Sequence, residues 1–420
     1  QVSTLVGFDQ EREPVFNRID TEIKAVLKDS MTGMMLGYRY LVTDGQPLGR
    51  FKLVEYQGIG RLLLQDWSMI YEQSDNKAGP AVVLLSGTSY APGSAHFHVS
   101  VPVSWILKRE EIAPKVDLIV HPVYDELQGG TPISISGIPP GDQREAQLRK
   151  MVKCLLPDIE DELHYWREHW PKPRRVLTVT NSYADARIVG QALEHDPQWR
   201  GRFKVLSRND AEEDFYFAKA LIEEFSISEA DMLIVPLMAV GRGYNILMPD
   251  TGESLFGSVF FLTRPYPVPG DFHYLIQLLH AQLPHFIRTI KKKGYQYERA
   301  IQELRRLSIA ALENMVKKPD FWDLLSKEEK EVLAWYTMVM MWQMVGRLLR
   351  KGTPARVFLC DYKFHPISPF EDGSPHRAQK TLLEIWAEII KKNRNDSAFV
   401  TLYHPWSDAI LNTFEQEVRP

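Results

Sequence analysis

Thiols, long apolar runs and glycine–lysine pairs are what this 420-residue sequence has little of, or none. Its two cysteines, Cys154 and Cys360, cannot build a disulfide framework or a four-thiolate metal or iron–sulfur centre, so a reducing, intracellular setting is expected. No window reaches the roughly 18 to 20 uninterrupted apolar residues that a bilayer span needs. The opening QVSTLVGFDQ has neither the basic nor the apolar region of an export signal. Gln1 in place of an initiator methionine fits a piece of a longer chain. No GxxxxGK[ST] loop occurs, because no glycine is followed by lysine; the usual cradle for a triphosphate is therefore lacking. Charge of one sign is also lacking: 50 Lys+Arg stand against 54 Asp+Glu, so only local charge can argue for nucleic acid.

What is present is enough apolar material, 44%, for sizeable cores, at a length that suggests two or three domains. Residues 14–28 carry Val15, Ile19, Ile23, Val26 and Leu27 at helical spacing. Strand-like runs follow at Met34–Val42 and Phe51–Tyr56, separated by the turn signal Asp44-Gly45. Ala81–Leu85 (AVVLL) is apolar on both faces, which predicts a central strand of a covered parallel sheet. Residues 111–143 read as irregular connection with a short strand at Leu118–Val120, and 143–168 as helix. From PKPRR at 171–175 the pattern alternates. Strands are expected at Val176–Thr180, Phe203–Leu206, Met232–Pro236 and Ser258–Leu262, with helices at 184–194 and 211–225. Such alternation implies an α/β fold, a parallel sheet with helices on both faces. After Pro269 long helices run to about residue 350, including a buried one at Glu331–Val345 whose Trp and Met residues belong to a core. A strand at Arg356–Cys360 returns to the sheet, and helices near 377–392 and 406–417 close the chain.

Ligands of open α/β sheets sit beyond the carboxyl ends of strands, which directs attention to three loops and one helix. Ser86-Gly87-Thr88 follows AVVLL; alone it is a plain strand-end turn. Asn181-Ser182-Tyr183 follows VLTV at a helix start, where it could hold phosphate or serve as an N-cap. Gly241-Arg242-Gly243-Tyr244-Asn245 follows MLIVP; it would let backbone approach a ligand while presenting a cation, or form a glycine-rich surface turn with a solvated arginine. Finally, Gln343, Arg347 and Arg350 share one helical face in QMVGRLLR, and arginines emerging from an apolar helix are costly to bury without an anionic partner, either a ligand or acidic neighbours within the chain.

In this order and spacing the four patterns resemble motifs III to VI of superfamily 2 helicases. SGT, the strand ending RPYPVP at 264–269, and QxxGRxxR followed by a strand ending in Asp361 are most similar to the XPD/DinG-like branch. That resemblance covers roughly residues 80–110 and 170–365. It implies a RecA-like fold, with 1–110 the end of a first motor domain, 111–170 a connector, and 171–420 a second motor domain carrying a mainly helical insertion at 271–340. It further implies that Arg350 and Arg347 act as arginine fingers with Gln343 beside them. Gly243, Asn245 and Arg242 would contact nucleotide; Ser86, Gly87 and Thr88 would couple nucleotide state to grip. Asn181, Ser182 and Tyr183 would touch phosphates of single-stranded DNA, with RNA possible. ATP and Mg²⁺ would be bound mainly by an N-terminal motor domain missing from these residues. Two departures stand out: the P-loop is lacking, and Asn245 stands where the family carries an Asp near the ribose. They leave open a catalytically inactive, helicase-like nucleic-acid-binding or scaffolding subunit of a defence or repair complex. A Rossmann-like transferase would share the sheet but leave the arginine pattern unexplained.

Local charge adds to this. Residues 288–318 hold nine Lys/Arg, among them Lys291, Lys292 and Lys293, against three acids, the balance that backbone neutralisation of nucleic acid requires. Tyr295 and Tyr297 lie among them as stacking candidates; a solvated helical face is the alternative. His96 and His98 alternate without a third ligand, so no metal site is expected. Tyr124-Asp125-Glu126-Leu127 falls after SGTS, the wrong order for a DEAH-type box. A cytoplasmic, bacterial setting without membrane contact completes the expectation.

Overall fold

A computed structural model describes residues 34–41, 50–57, 81–107 without 95 and 100, 114–126, 129–208, 214–240, 244–265, scattered positions from 286 to 310, then 322, 325–364 and 380–417. The expected helix at 14–28 and the stretch from Tyr266 to Pro269 lie outside the described residues. The chain divides into two compact units.

The first unit takes residues 1–85, 99–101 and 272–318. Strands β1 (Met34–Leu41) and β2 (Arg50–Gln57) fall on the two expected strand-like runs and pair antiparallel from Met34 opposite Gln57 to Leu41 opposite Arg50. Ala81–Leu85, by contrast, is no strand, and Val83 and Leu85 are 71% and 90% exposed. A strand apolar on both faces needs hydrogen-bonded neighbours on both edges, and this segment pairs with no described strand.

The second unit holds the rest, built on a seven-stranded sheet. Its strands are β3 (Val116–Val120), β6 (Arg175–Thr180), β7 (Phe203–Ser207), β8 (Tyr216–Ala218), β9 (Met232–Pro236), β10 (Phe256–Phe261) and β11 (Ala355–Leu359). A small hairpin of β4 (Tyr124–Asp125) and β5 (Thr131–Pro132) stands apart. The order in the sheet is β3-β11-β10-β6-β9-β7-β8, every pair parallel. All residues of β9 and β10 are buried, as near-continuous apolar runs demand in a sheet covered on both sides.

Alternation along each strand divides the core. Val176, Met232, Ile234, Val205 and Phe260 pack with α1 (Asp142–His169) and α2 (Tyr183–Glu194). A short helix α3 (Leu237–Val240) follows β9 directly. The opposite face meets α4 (Lys327–Leu348), against which α5 (Leu382–Asn393) packs, Trp386 Nε1 donating to Ala334 O at 2.8 Å. Helix α6 (Ser397–Glu417) ends the described chain. Both α4 and α5 start with capping boxes, Ser326 with Glu329 and Thr381 with Glu384, which satisfy the orphan N–H groups of their first turns. This is the α/β sheet with helices on both faces that the alternation predicted, of the RecA-like kind. No helix among the described residues is long and apolar enough to cross a membrane.

Two local expectations are corrected. The helix expected over 211–225 is, where described, strand β8 and a 3₁₀ segment at Lys219–Ile227. Its apolar residues fit a helical period, but pairing of Tyr216 with Val205 on β7 outweighs that propensity. The short strand of the connector spans Val116–Val120 and pairs with β11 as the sheet's edge, so the sheet begins well before PKPRR.

Arg174, just ahead of β6, locks the amino-terminal side of the sheet. Its guanidinium donates to the carbonyls of Phe256 (2.5 Å), Pro354 (2.6 Å), Leu348 (3.0 Å) and Ser254 (3.3 Å) and lies 4.5 Å from the Trp166 ring centroid. Burial pulls its pKa down to about 10, still cationic at neutral pH.

Candidate functional site

Helix α4 crosses its face of the sheet antiparallel to the strands. Tyr336, early in it, reaches Met238 just past the carboxyl end of β9; Leu348, its last residue, meets Arg174 just ahead of the amino end of β6. The late residues Arg347 and Arg350 therefore lie toward the amino side of the sheet, not at the carboxyl rim where the sequence placed the whole site. The reason is geometric: a helix that crosses back to feed a parallel strand must run against it. The helix also ends at Leu348, so Arg350 stands in the following 3₁₀ turn, Arg350–Gly352, rather than on the helical face of Gln343 and Arg347.

Onto α4 docks the loop that carries the first pattern. Thr88 Oγ1 accepts from Gln343 Nε2 at 2.8 Å. Tyr90 OH donates to Asp396 at 2.5 Å, and its carbonyl accepts from Tyr403 OH at 3.1 Å. Phe97 stacks on Tyr336 with ring centroids 5.6 Å apart. Gly93 lies so close to the Trp335 indole that an added Cβ would overlap it at 1.9 Å. Ser86 acts locally. Its Oγ accepts from the backbone N–H of Thr88 and Ser89 at 3.3 and 3.1 Å, which makes the plain turn that the pattern alone implies. At Gly87 an added Cβ would meet nothing.

Around the arginines, charge is arranged unevenly. Burial lowers the pKa of Arg347, the neighbouring Arg350 lowers it further, and Glu223 opposes both. Glu223 Oε1 also accepts from the backbone N–H of Asn245 at 2.9 Å, which brings the third pattern to the same acid. Gly241, Arg242 and Gly243 lie outside the described residues. Gly346, between Gln343 and Arg347, has open space where a Cβ would stand. A glycine inside a helix costs about 1 kcal/mol against alanine, and no internal packing requires this one. Among the described residues no group of three or more His, Cys, Asp or Glu could hold a metal ion.

The second pattern occupies the carboxyl rim, apart from the α4 residues. Ser182 Oγ accepts from Asp185 N at 3.0 Å and is the N-cap of α2, the local role open to it from the sequence. Asn181 Nδ2 donates to Arg264 O at 3.1 Å. Tyr183 carries the Arg208 guanidinium 4.7 Å from its ring centroid. Buried Asp361, past the end of β11, accepts from Ser136 Oγ (2.6 Å) and Ser136 N (2.8 Å), while Ser136 Oγ accepts from Arg264 N at 3.1 Å. These bonds stitch the ends of β11, β10 and β6 together. Sequence reading missed Arg208, Glu223 and Asp396. Arg208 was within reach of the strand-end rule, since it directly follows β7.

In the first unit, Lys292 and Lys293 are exposed, and Lys291 lies outside the described residues. Arg306 bonds Glu303 at 2.8 Å and Lys293 pairs with the same acid at 3.3 Å, holding the Glu303 pKa down to about 2. Tyr295 has Arg299 at 4.6 Å and Lys293 at 5.5 Å from its ring centroid, so cations already engage the ring considered for base stacking. No protein-family model matches the chain, and no curated protein matches its sequence.

Proposed function

We propose that this chain is the C-terminal motor part of an ATP-dependent DNA helicase or translocase resembling the XPD/DinG-like branch. The observation that carries the reading is the Gln343–Thr88 hydrogen bond: two motifs far apart in sequence, both expected to respond to the nucleotide, meet at one point. The open space above Gly346 in the same motif supports it, because a helix-weakening residue without a packing role is expected where a ligand must approach. The working surface is then the outer side of late α4 with its docked loop, rather than the carboxyl rim.

Arg350 and Arg347 would spread the charge that builds on a γ-phosphate held by a P-loop domain missing from these residues, a role typically contributing on the order of 10³–10⁵ in rate. Gln343, bonded to Thr88, would pass the state of that phosphate to the loop at 86–98. The carboxyl rim would hold single-stranded DNA; in the first unit, exposed Lys292 and Lys293 would be phosphate contacts of their own. An intracellular setting fits this work. The test is photocrosslinking of the intact protein with ATP labelled on its γ-phosphate: peptides spanning 343–350 should carry the label, and label confined to other segments would remove this role.

A second reading, a nucleic-acid-binding module without hydrolysis, is favoured by the lack of GxxxxGK[ST] and by Asn245 in the place of an acid. It predicts DNA binding indifferent to ATP.

A further inference from the structure

We infer that the carboxyl end of β6 is a nucleotide-reading subsite: Arg208, held over Tyr183, takes a backbone phosphate, while Asn181 offers an acceptor oxygen to a hydrogen-bond donor on the same strand. This subsite presupposes the single-strand binding proposed above and changes the role of its residues from phosphate contact to discrimination.

The orientation of Asn181 decides its role. Its amide lies 3.1 Å from the Arg264 carbonyl. A carbonyl can only accept, so nitrogen, not oxygen, must face it, and the usual ambiguity of an asparagine amide is removed. Oδ1 then turns away from Arg264, and among the described residues no donor is hydrogen-bonded to it. Phosphate diester oxygens carry no proton, so an oxygen aimed at a strand can meet only a base N–H or a ribose 2′-hydroxyl.

The acceptor is also held in place. Arg264 N donates to Ser136 Oγ at 3.1 Å and to Asp361 Oδ2 at 3.4 Å, which fixes the carbonyl that fixes Asn181. A polar group whose direction is set by a buried network discriminates better than one free to rotate. Neither neighbour in the motif supplies the phosphate contact. Ser182 Oγ serves as the cap of α2, and the Tyr183 ring lies beneath a guanidinium. That guanidinium, on exposed Arg208, has the planar fork suited to phosphate, with Tyr183 restricting its motion.

The experiment is fluorescence anisotropy with the 420-residue chain and three labelled tracts of equal length: oligo-uridine, oligo-deoxyuridine and an abasic deoxyribose tract. The first pair differs by the 2′-hydroxyl, the second by the base. Wild type should prefer at least one donor-bearing tract, and Asn181→Ala should erase about two- to tenfold of that preference. The pair that loses it identifies the donor. A thermal melt of Asn181→Ala matching that of wild type guards against a folding artefact. Arg208→Ala should weaken all three tracts alike and reduce the salt slope by about one. If Asn181→Ala weakens the abasic tract as much as the others, or changes none, the subsite is refuted while DNA binding stands. Wild type binding none of the tracts would refute the nucleic-acid function itself.

Discussion

Gln343 donates to the hydroxyl of Thr88 over 2.8 Å, joining residues 255 positions apart. Both are half-buried, so neither pays the full cost of leaving water, and the bond fixes the docked loop more than it stabilises the whole fold. A double-mutant cycle of Thr88→Val and Gln343→Met should give a coupling of about 0.5–1.5 kcal/mol in urea unfolding. Simple additivity would mean that loop and helix do not act together.

Gly346→Ala should stabilise the chain by about 0.5–1 kcal/mol, since nothing stands where the methyl would go and alanine favours helix. Nucleotide-dependent activity should fall at the same time if a ligand approaches the helix at this open position. Thermal melts and turnover of the same variant check both halves. A variant that is stabilised with activity intact would remove the ligand from this gap.

Gly257→Ala should move stability the other way. On β10 its Cβ would stand 2.3 Å from the Trp166 indole, whose nitrogen donates to Ser258 Oγ at 2.7 Å. A large buried ring tied by a hydrogen bond cannot step aside cheaply, so a loss of about 1–3 kcal/mol is expected in urea midpoints. Unchanged stability would show that α1 can slide on the sheet.

Glu162 gives a pH signature. Burial raises its pKa above the ordinary 4.5, and the Ser258 hydroxyl and Arg356, whose guanidinium lies 2.7 Å away, offset this only in part. In the window just above 4.5 the folded chain therefore binds more protons than the unfolded one, and this group's contribution to stability falls as pH rises through it. Glu162→Gln removes that titration. The stability difference, wild type minus variant, should decrease with rising pH from about 4.5 and then level off. An increase instead would place the folded pKa below its ordinary value.

Much of the sheet was legible because its strands are short apolar runs bounded by turn residues. Met232–Pro236 falls where the sequence put it, and Arg175–Thr180 within one residue. The direction of α4 was less visible: QxxGRxxR reports which residues share a side of a helix, but not which end of the sheet that helix reaches. Ala81–Leu85 shows the limit of pattern reading, since two apolar faces announce a strand without supplying its neighbours. Among site residues, Thr88 and Gln343 stand in separate motifs and meet, whereas the anchoring of Tyr90 to Asp396 crosses 306 positions and left no mark in local sequence.

Arg347 and Arg350 are the residues to which the motor interpretation gives the catalytic work, and hydrolysis tests them directly. ATP turnover stimulated by single-stranded DNA should be measured on the intact protein and on its Arg350→Ala variant, with DNA affinity as control. Turnover should fall by about 10³-fold or more with DNA binding retained. Equal turnover in the two proteins, or none in the intact wild type, would contradict it.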